Sequence, residues 1–323
     1  MTPSDPQRSI AIFSARESVD TLLGSIKAAI RACGNVTAIV DILVNGNRPL
    51  ADAVAPFLAG LRDLAPSCTV RLWFIPMGDK GHTWNQFLHE INPKAEYSFF
   101  IDGYVAVRAD ALQLIEDGLK RDPKAVAATG LPSSGRSAAA LRQSMIQNGG
   151  LHGNLFAMRR SVLLTLAERG FRLPLGIYRN DSLLATVCNY NLSPAENEVD
   201  TKRVMIQANA TWDVMEDATA LRQKISTHLK RKLRQGQGDL ENYALHHHFT
   251  ERRLRPEALP ATSAVLVKEW VHQHPREYRE LWLKNPLILH AFSKISQTRD
   301  WSAAERKPLL VFSSQAEALT SQP

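Results

Sequence analysis

The aspartate at position 102 is the residue best placed to do chemistry, at the end of the apolar run 97–105 (YSFFIDGYV). The aromatic and β-branched residues before it predict a strand that is buried on both faces of a sheet covered by helices. Such sheets bind ligands at the carboxyl ends of their strands. Asp102 is therefore expected at a ligand-binding edge, although Asp102-Gly103 is equally compatible with a simple turn.

A concentration of positive charge is the second candidate. Residues 222–255 hold nine Lys or Arg side chains and three acids, which accounts for +6 of the formal charge of +7. Such a field attracts the phosphates of a nucleotide, a nucleic acid or an anionic membrane. The alternative is a solvated helix face, where charge runs usually lie.

Two further groups of residues could bind metal. His246-His247-His248 suggests a metal site, but adjacent side chains on a helix diverge by about 100°, so at most one or two could face one ion. Cys33, Cys68 and Cys188 are odd in number and set in apolar sequence. They fit reduced core thiols rather than a disulfide frame or a zinc cluster.

The composition predicts a globular protein. With 323 residues, 44% hydrophobic and 22% charged, the chain can bury a full core. It has no apolar run of about 18 residues, and its first residues are polar, so neither a spanning helix nor a secretory signal is expected. We therefore expect a cytoplasmic protein.

The elements that must position Asp102 alternate between strand and helix. Strands are predicted at 9–13, 37–44, 70–75 and 97–102, and helices at 18–33, 54–64 and 83–91. This alternation predicts an α/β fold with a mostly parallel central sheet flanked by helices. We expect a main domain over 1–236, with halves at about 9–105 and 106–236, and a helical C-terminal extension over 237–323 that ends in a disordered tail.

Six short motifs follow these elements in order: Ser14 to Glu17 (SARE), Asn45 to Asn47 (NGN), Lys80 to Asn85 (KGHTWN), Asp102, Gly150 to Arg160 (GLHGNLFAMRR) and Asn180-Asp181. Their order and separations over 9–236 resemble the family-two glycosyltransferases, which are inverting, nucleotide-sugar-dependent enzymes of the GT-A fold. No single motif is specific, and the resemblance depends on the order.

The resemblance implies a role for each motif. It implies that the donor binds at Ala15, Arg16, Glu17, Asn45, Lys80 and Asn85. It makes Asp102 the first acid of an Asp-x-Asp signature and Asp181 the catalytic base. The other interpretation of Asp181 is an N-cap of the following helix. Arg159 and Arg160 either bind an anionic acceptor or begin the helix at 161–168.

The sequence departs from the family pattern at two points. Tyr104 replaces the second aspartate of the signature, which leaves Asp102 as the predicted ligand of a divalent cation, Mn or Mg. As an alternative counter-charge for the diphosphate, we expect Lys230, Arg231 and Arg234 to lie over it. The Gln-x-x-Arg-Trp signature of processive members is absent, which favours a non-processive enzyme.

The resemblance implies an inverting glycosyltransferase that moves a sugar from a UDP-sugar to a glycan, glycolipid or lipid-linked acceptor. The basic segment would allow peripheral contact with an anionic membrane. One alternative is an inactive nucleotide-sugar-binding homologue that acts as a partner protein. Another is a nucleic-acid-binding protein that uses residues 222–255, which hold few aromatic residues for base stacking.

Overall fold

The computed structural model of the protein describes residues 5–64, 66–135, 138–215 and 221–315, without the side chains at 62–64 and 221–233.

The first half of the chain is a regular alternation of strands and helices. Its elements are β1 (Arg8–Ser14), α1 (Val19–Cys33), β2 (Ala38–Asn45), α2 (Arg48–Leu58), β3 (Cys68–Ile75), α3 (Lys80–Gln86) and β4 (Tyr97–Asp102). The four strands are parallel in the order β4-β1-β2-β3. In this register Phe13 pairs with Asp102 and Ser14 pairs with Val44, so the strand ends that carry the motifs meet at one edge.

The second half adds strands of both directions. Its elements are β5 (Val105–Val107), α4 (Ala111–Arg121), β6 (Ala127–Pro132), α5 (Ala138–Asn148), β7 (Leu155–Arg159), α6 (Arg160–Glu168), α7 (Asn180–Asn189) and β8 (Val204–Val214). The important strand is β7, which is antiparallel to β4 and pairs Leu155 with Ile101. Because of this direction, the residues that precede β7 lie beside the carboxyl end of β4.

The C-terminal part is helical except for one strand. It consists of α8 (Leu221–His246), α9 (Ser263–Gln273), α10 (Pro275–Lys284), α11 (Leu287–Ile295) and β9 (Leu309–Ser313). Buried apolar side chains join α8, α9 and α11 to the core on one side of the sheet, among them Leu240, Phe249, Trp270 and Ile288. The predicted domain boundary at 236 falls within α8, which continues through it. Of the predicted tail, residues 316–323 lie outside the described residues.

Strand β9 is antiparallel to β3 at the edge of the sheet. It completes the order β5-β8-β6-β7-β4-β1-β2-β3-β9. Its register includes Leu72 opposite Phe312, and the backbone N–H of Val70 donates to Ser314 Oγ at 3.0 Å. The strand was not predicted from the sequence, because nothing near it in the chain pairs with it.

The prediction of an α/β fold is confirmed: the described residues form one central sheet of nine strands with eleven α-helices around it. The sheet is parallel from β4 to β3, and the antiparallel strands β5, β7 and β9 make it mixed as a whole. Among the described helices, none is long and apolar enough to cross a membrane.

Candidate functional site

A cleft with two adjoining lobes opens at the carboxyl edge of the parallel strands. The inner lobe has a volume of about 580 Å³ and is lined by His152, Gly153 and Asp181 among others. The outer lobe has a volume of about 530 Å³ and is lined by the turns after β1 and β2. The residues common to both lobes are Phe13, Lys80, Asp102, Tyr104, Tyr178 and Arg234. The lobes together are large enough for a ligand of several rings.

The turn after β1 builds the wall of the outer lobe. The Glu17 carboxylate accepts hydrogen bonds from Ser14 Oγ at 2.6 Å, from Ala15 N at 2.7 Å and from Arg16 N at 2.9 Å. The turn after β2 supports it, since Asn45 Nδ2 donates to the Ser14 carbonyl at 3.0 Å. Glu17 and Asn45 therefore shape the turn, which leaves the exposed Arg16 side chain available to a ligand.

Gly103 fixes Asp102 at the junction of the lobes. The Gly103 N–H donates to the Phe13 carbonyl at 2.7 Å. A Cβ at position 103 would lie 2.9 Å from Ser14 Cβ and 3.0 Å from the Phe13 carbonyl oxygen, so only glycine fits. The Asp-Gly pair is thus both a turn and part of the cleft.

Both oxygens of the Asp102 carboxylate have partners. Lys80 Nζ forms an ion pair with Oδ1, and the Tyr104 hydroxyl donates to Oδ2 at 3.0 Å. Burial, with the neighbouring Asp102 charge, raises the pKa of Tyr104 above its usual range, so the phenol stays protonated and donates. The Lys80 side chain is 38% exposed, which leaves part of its ammonium open to the cleft.

These groups do not fit a divalent cation at Asp102. The carboxylate is already neutralised by Lys80, and the position of a second acid holds a protonated phenol, which is a poor ligand. A cation bound there would have to displace the Lys80 ammonium. In the part of the chain that the structure describes, three metal-ligating atoms converge at His247, Glu251 and His274, outside the cleft.

Asp181 faces the inner lobe from the first turn of α7. Its carboxylate accepts from the backbone N–H of Gly153 at 3.0 Å and of Ser182 at 2.9 Å. Arg179, not Asp181, is the N-cap residue of α7, and it makes no capping hydrogen bond with its side chain. Asp181 is therefore not the N-cap residue, but one oxygen of its carboxylate accepts a first-turn N–H of its own helix, that of Ser182.

The segment before β7 brings the charged groups of the cleft together. A Cβ built on Gly153 would lie 3.2 Å from Lys80 Nζ, 3.6 Å from Asp181 Oδ2 and 3.7 Å from Asp102 Oδ2. Three ionisable side chains from three elements thus surround a single residue without a side chain. One ligand bound over Gly153 could contact all three.

His152 lies in the same segment and was not singled out from the sequence. Its ring stacks on Trp212 with centroids 5.2 Å apart, and its Nδ1 accepts from the Asn154 N–H at 3.2 Å. Burial lowers the pKa of His152, against the opposing effect of the Asp181 and Asp102 charges. The neutral ring therefore holds its proton on Nε2. The position of His152 within the motif 150–160 was its only sequence signal.

Glu241, on α8, holds the chain that leads into α7. Its fully buried carboxylate accepts from Tyr178 N at 2.9 Å, from Arg179 N at 3.0 Å and from Gln237 Nε2 at 2.8 Å. Burial raises the pKa of Glu241 to about 7, although these hydrogen bonds oppose the shift. Glu241 thus holds the backbone of Tyr178 and Arg179, which leads into the helix that carries Asp181. The sequence showed only an acid within a basic segment.

Most of the predicted site residues lie in the cleft. The outer lobe includes Ala15, Arg16, Glu17 and Asn45, the inner lobe includes Asp181, and both lobes include Lys80, Asp102 and Arg234. Arg234 is exposed, while the side chain of Arg231 lies outside the described residues.

Two predicted contacts lie away from the cleft. Asn85 is buried, and its amide group bonds the backbone of Leu173 through Nδ2 at 2.9 Å and Oδ1 at 2.8 Å. Arg159 pairs with Tyr97 at the opposite end of β4 from Asp102, and its guanidinium donates to the Ala125 carbonyl at 2.8 Å. Both residues hold the fold together, because their polar groups are used by backbone atoms.

Comparison with known proteins identifies the fold. No protein-family model matches the sequence, and no curated protein matches it. A mannosyltransferase from Pyrobaculum calidifontis, PcManGT, in complex with GDP-Man and Mn2+, is similar with a TM-score of 0.53 and 15% identity, over 94% of this chain and 78% of that one. TarS 1–349 from S. aureus, in complex with UDP-GlcNAc, has a TM-score of 0.53 and 8% identity, over 89% and 80%. At this identity the likeness establishes the fold alone, which is that of glycosyltransferases.

Proposed function

We propose that the protein is a non-processive, inverting glycosyltransferase that uses a nucleotide diphosphate sugar. The observation that carries this proposal is the convergence of Lys80, Asp102 and Asp181 around Gly153, at the junction of two lobes. A cation for the leaving group and a carboxylate base beside the same space are what an inverting transfer requires.

The outer lobe is the proposed site of the nucleoside. Its wall is the self-bonded turn 14–17, and its size suits a base and a ribose. The two structural neighbours are described with GDP-Man and with UDP-GlcNAc, which supports a nucleoside diphosphate sugar as the donor class. Of these we propose a UDP-sugar, as the resemblance of the motifs implies.

The diphosphate lies at the junction of the lobes in this proposal. Lys80 and Arg234 face both lobes, so their charges can stabilise the two phosphates and the charge that develops as the sugar leaves. The Lys80 ammonium forms an ion pair with Asp102, the predicted metal ligand. We therefore assign the leaving-group role to these side chains and route no step through a metal.

Asp181 acts as the general base. It removes the proton of the acceptor hydroxyl while the hydroxyl oxygen forms a bond to the anomeric carbon and the bond to the diphosphate oxygen breaks. The backbone N–H groups of Gly153 and Ser182 hold the Asp181 carboxylate in position for this step. The acceptor, a glycan, glycolipid or lipid-linked sugar, enters through the inner lobe. The catalytic groups lie within the predicted domain 1–236, while α8 continues past this boundary and β9, from the predicted extension 237–323, joins the central sheet.

The second candidate is a nucleotide-sugar-binding homologue without transfer activity. It is favoured by one observation, the replacement of a metal-binding acid by Tyr104, whose hydroxyl is bonded to Asp102. The two candidates share the donor site and differ in turnover. Release of UDP from a UDP-sugar, with or without an added acceptor, distinguishes them.

Calorimetric titration with UDP and GDP, with and without manganese, tests the donor site. We expect UDP to bind without manganese and Lys80→Met to weaken this binding by about 10-fold to 100-fold, the effect of a lost charge-assisted hydrogen bond. Lys268→Met, an exposed lysine on α9, is the matched control.

Two outcomes of this titration would change the proposal. Absence of binding by either nucleotide in either condition would overturn the donor assignment. Binding that requires manganese and is lost in Asp102→Asn would restore the predicted metal at Asp102.

A further inference from the structure

A cluster of metal-ligating side chains lies at the end of α8, outside the cleft. Residues 247–251 continue α8 as a single π-helical turn, and His274 follows directly after α9. His247, Glu251 and His274 each direct one ligand atom to the same place. None of the three lines either lobe of the cleft, so the proposed transfer reaction does not use them.

The distances among the three ligand atoms suit one small cation. His247 Nδ1 lies 2.8 Å from Glu251 Oε2 and 3.0 Å from His274 Nε2, and His274 Nε2 lies 3.7 Å from Glu251 Oε2. A tetrahedral zinc ion with bonds of about 2.0–2.1 Å separates its ligands by about 3.3 Å. The triangle is thus close to one face of such a tetrahedron.

The outer nitrogens of both histidines are held by acceptors. His247 Nε2 lies 2.8 Å from Gln273 Oε1, and His274 Nδ1 lies 3.0 Å from Glu277 Oε1. The Glu277 carboxylate only accepts, so His274 Nδ1 carries its ring proton. With the Gln273 amide oxygen as the acceptor of the His247 Nε2–H, the nitrogens of both histidines that face Glu251 present lone pairs. Hydrogen bonds of this kind orient histidine ligands in known metal sites.

Two lone pairs and a carboxylate that converge on one point repel each other unless a positive charge lies between them. We propose that His247, Glu251 and His274 bind a divalent metal of the zinc class. Imidazole nitrogens favour zinc over magnesium and manganese, which prefer oxygen ligands. Glu251 is 43% exposed, so water can complete the coordination.

One histidine of the run 246–248 takes part in the proposed metal site. Only His247 of the three faces the ion. His248 is buried beside the Arg255 carbonyl at 3.3 Å, and His246 lies 3.3 Å from the other Glu251 oxygen, Oε1. The expected divergence of adjacent helical side chains accounts for this division.

A metal at this position joins α8 to the junction of α9 and α10. His247 and Glu251 belong to the π-helical turn that continues α8. His274 is both the C-cap of α9 and the N-cap of α10. Zinc would therefore stabilise the packing of the C-terminal helices on α8, because a ligand that binds only the folded state shifts the unfolding equilibrium.

The test is a calorimetric titration of chelator-treated full-length protein with zinc chloride, with a chromophoric chelator as competitor. We expect one zinc per chain, loss of binding in His247→Ala and in His274→Gln, and about 10-fold to 100-fold weaker binding in Glu277→Gln. His272→Ala and His290→Ala, which change exposed histidines on α9 and α11, are the matched controls and should bind as the parent protein does.

The unfolding temperature is a second readout. Zinc should raise it in the parent protein and in both controls, but not in His247→Ala. Failure of zinc to bind, or binding that is unchanged in His247→Ala and His274→Gln, would overturn the proposal and leave a cluster joined by shared protons. Because no nucleotide is present, this result is independent of the transferase proposal.

Discussion

The two lobes of the cleft are built in different ways. The outer lobe is held by residues close in sequence, since Glu17 bonds the three residues immediately before it. The inner lobe is held from a distance, since Glu241 bonds the backbone of Tyr178 from 63 residues further along the chain. The turn 14–17 in the wall of the outer lobe is thus bonded mainly within a short segment, whereas the wall of the inner lobe at Tyr178 and Arg179 depends on the docking of α8.

This difference suggests a division of labour. A locally bonded turn can keep its shape while the rest of the chain moves, which suits recognition of an invariant nucleotide. A wall held by α8 changes whenever α8 moves, which suits the acceptor side, where shape decides specificity. Substitutions in the two walls should therefore affect different steps.

The largest expected effect is that of Asp181→Asn. Without a base, the rate of transfer at saturating donor should fall by about 10²-fold to 10⁴-fold, while the UDP dissociation constant stays within about twofold. Steady-state kinetics with calorimetry measure both quantities. Glu17→Gln is the counterpart in the outer wall and should weaken UDP binding with little change in the saturated rate. If Asp181→Asn weakened UDP binding instead, the lobes would not be separate in function.

Glu241→Ala tests the long-range support of the inner wall. The variant removes the buried acceptor of the Tyr178 and Arg179 backbone N–H groups and of the Gln237 side-chain amide. Each of these groups that stays unsatisfied costs about 1 to 3 kcal/mol of stability. We expect about 3 to 5 kcal/mol less unfolding free energy, measured by urea denaturation, and a lower rate of transfer. Glu17→Ala, at a partly exposed turn, should lose less. Equal losses would contradict the contrast between the walls.

The pH dependence of stability should report Glu241 directly. Its pKa is raised from 4.5 to about 7 in the fold, so the folded state binds the proton more tightly than the unfolded state. The resulting stability is full below about pH 4.5 and is lost as the pH rises through about 7, with a total of at most about 3 kcal/mol. We would measure the unfolding free energy of the parent and of Glu241→Gln from pH 4.5 to 8. The difference between the two proteins isolates the contribution of Glu241 titration to stability. A difference that does not change with pH would refute it.

The smallest functional effect is expected for Asn85→Ala. Because the Asn85 amide bonds the Leu173 backbone, the variant should lose about 1 to 2 kcal/mol of unfolding free energy and keep its UDP affinity within about twofold. Lys80→Met, on the same helix, should instead weaken UDP binding and leave the unfolding free energy nearly unchanged. A large loss of UDP affinity in Asn85→Ala would place Asn85 in the donor site after all.

The sequence predicted the outer lobe better than the inner one for a physical reason. The resemblance assigned the residues after β1, β2 and β4 to one site, and they meet in the structure because parallel strands end at one edge of a sheet. Asn85 lies away from the cleft because five residues along a helix turn its side chain by about 140° from that of Lys80, toward the core. The role of Glu241 could not be found, because the groups that it holds in the inner wall are the backbone N–H groups of Tyr178 and Arg179, which have no sequence signature.

The proposed metal site at His247, Glu251 and His274 also depends on contacts that the sequence does not show. His247 and Glu251 are one helical turn apart and could be paired from the sequence, but His274 reaches them only through the packing of α9 on α8. The sequence offered three adjacent histidines, and the structure uses one. Which one faces a partner depends on helix rotation, and rotation is fixed by the buried apolar side chains around Trp270.

The position of β9 has a consequence for biosynthesis. Val70 and Ser314 are bonded across 244 residues, so β3 remains an open sheet edge until the segment that contains β9 has left the ribosome. Open strand edges recruit other strands, and sheets closed by distant segments form slowly. A nascent or truncated chain that lacks Leu309–Ser313 would expose β3 as a template for aggregation. Strand β9 thus covers the edge of β3 and becomes the outer strand of the sheet in its place.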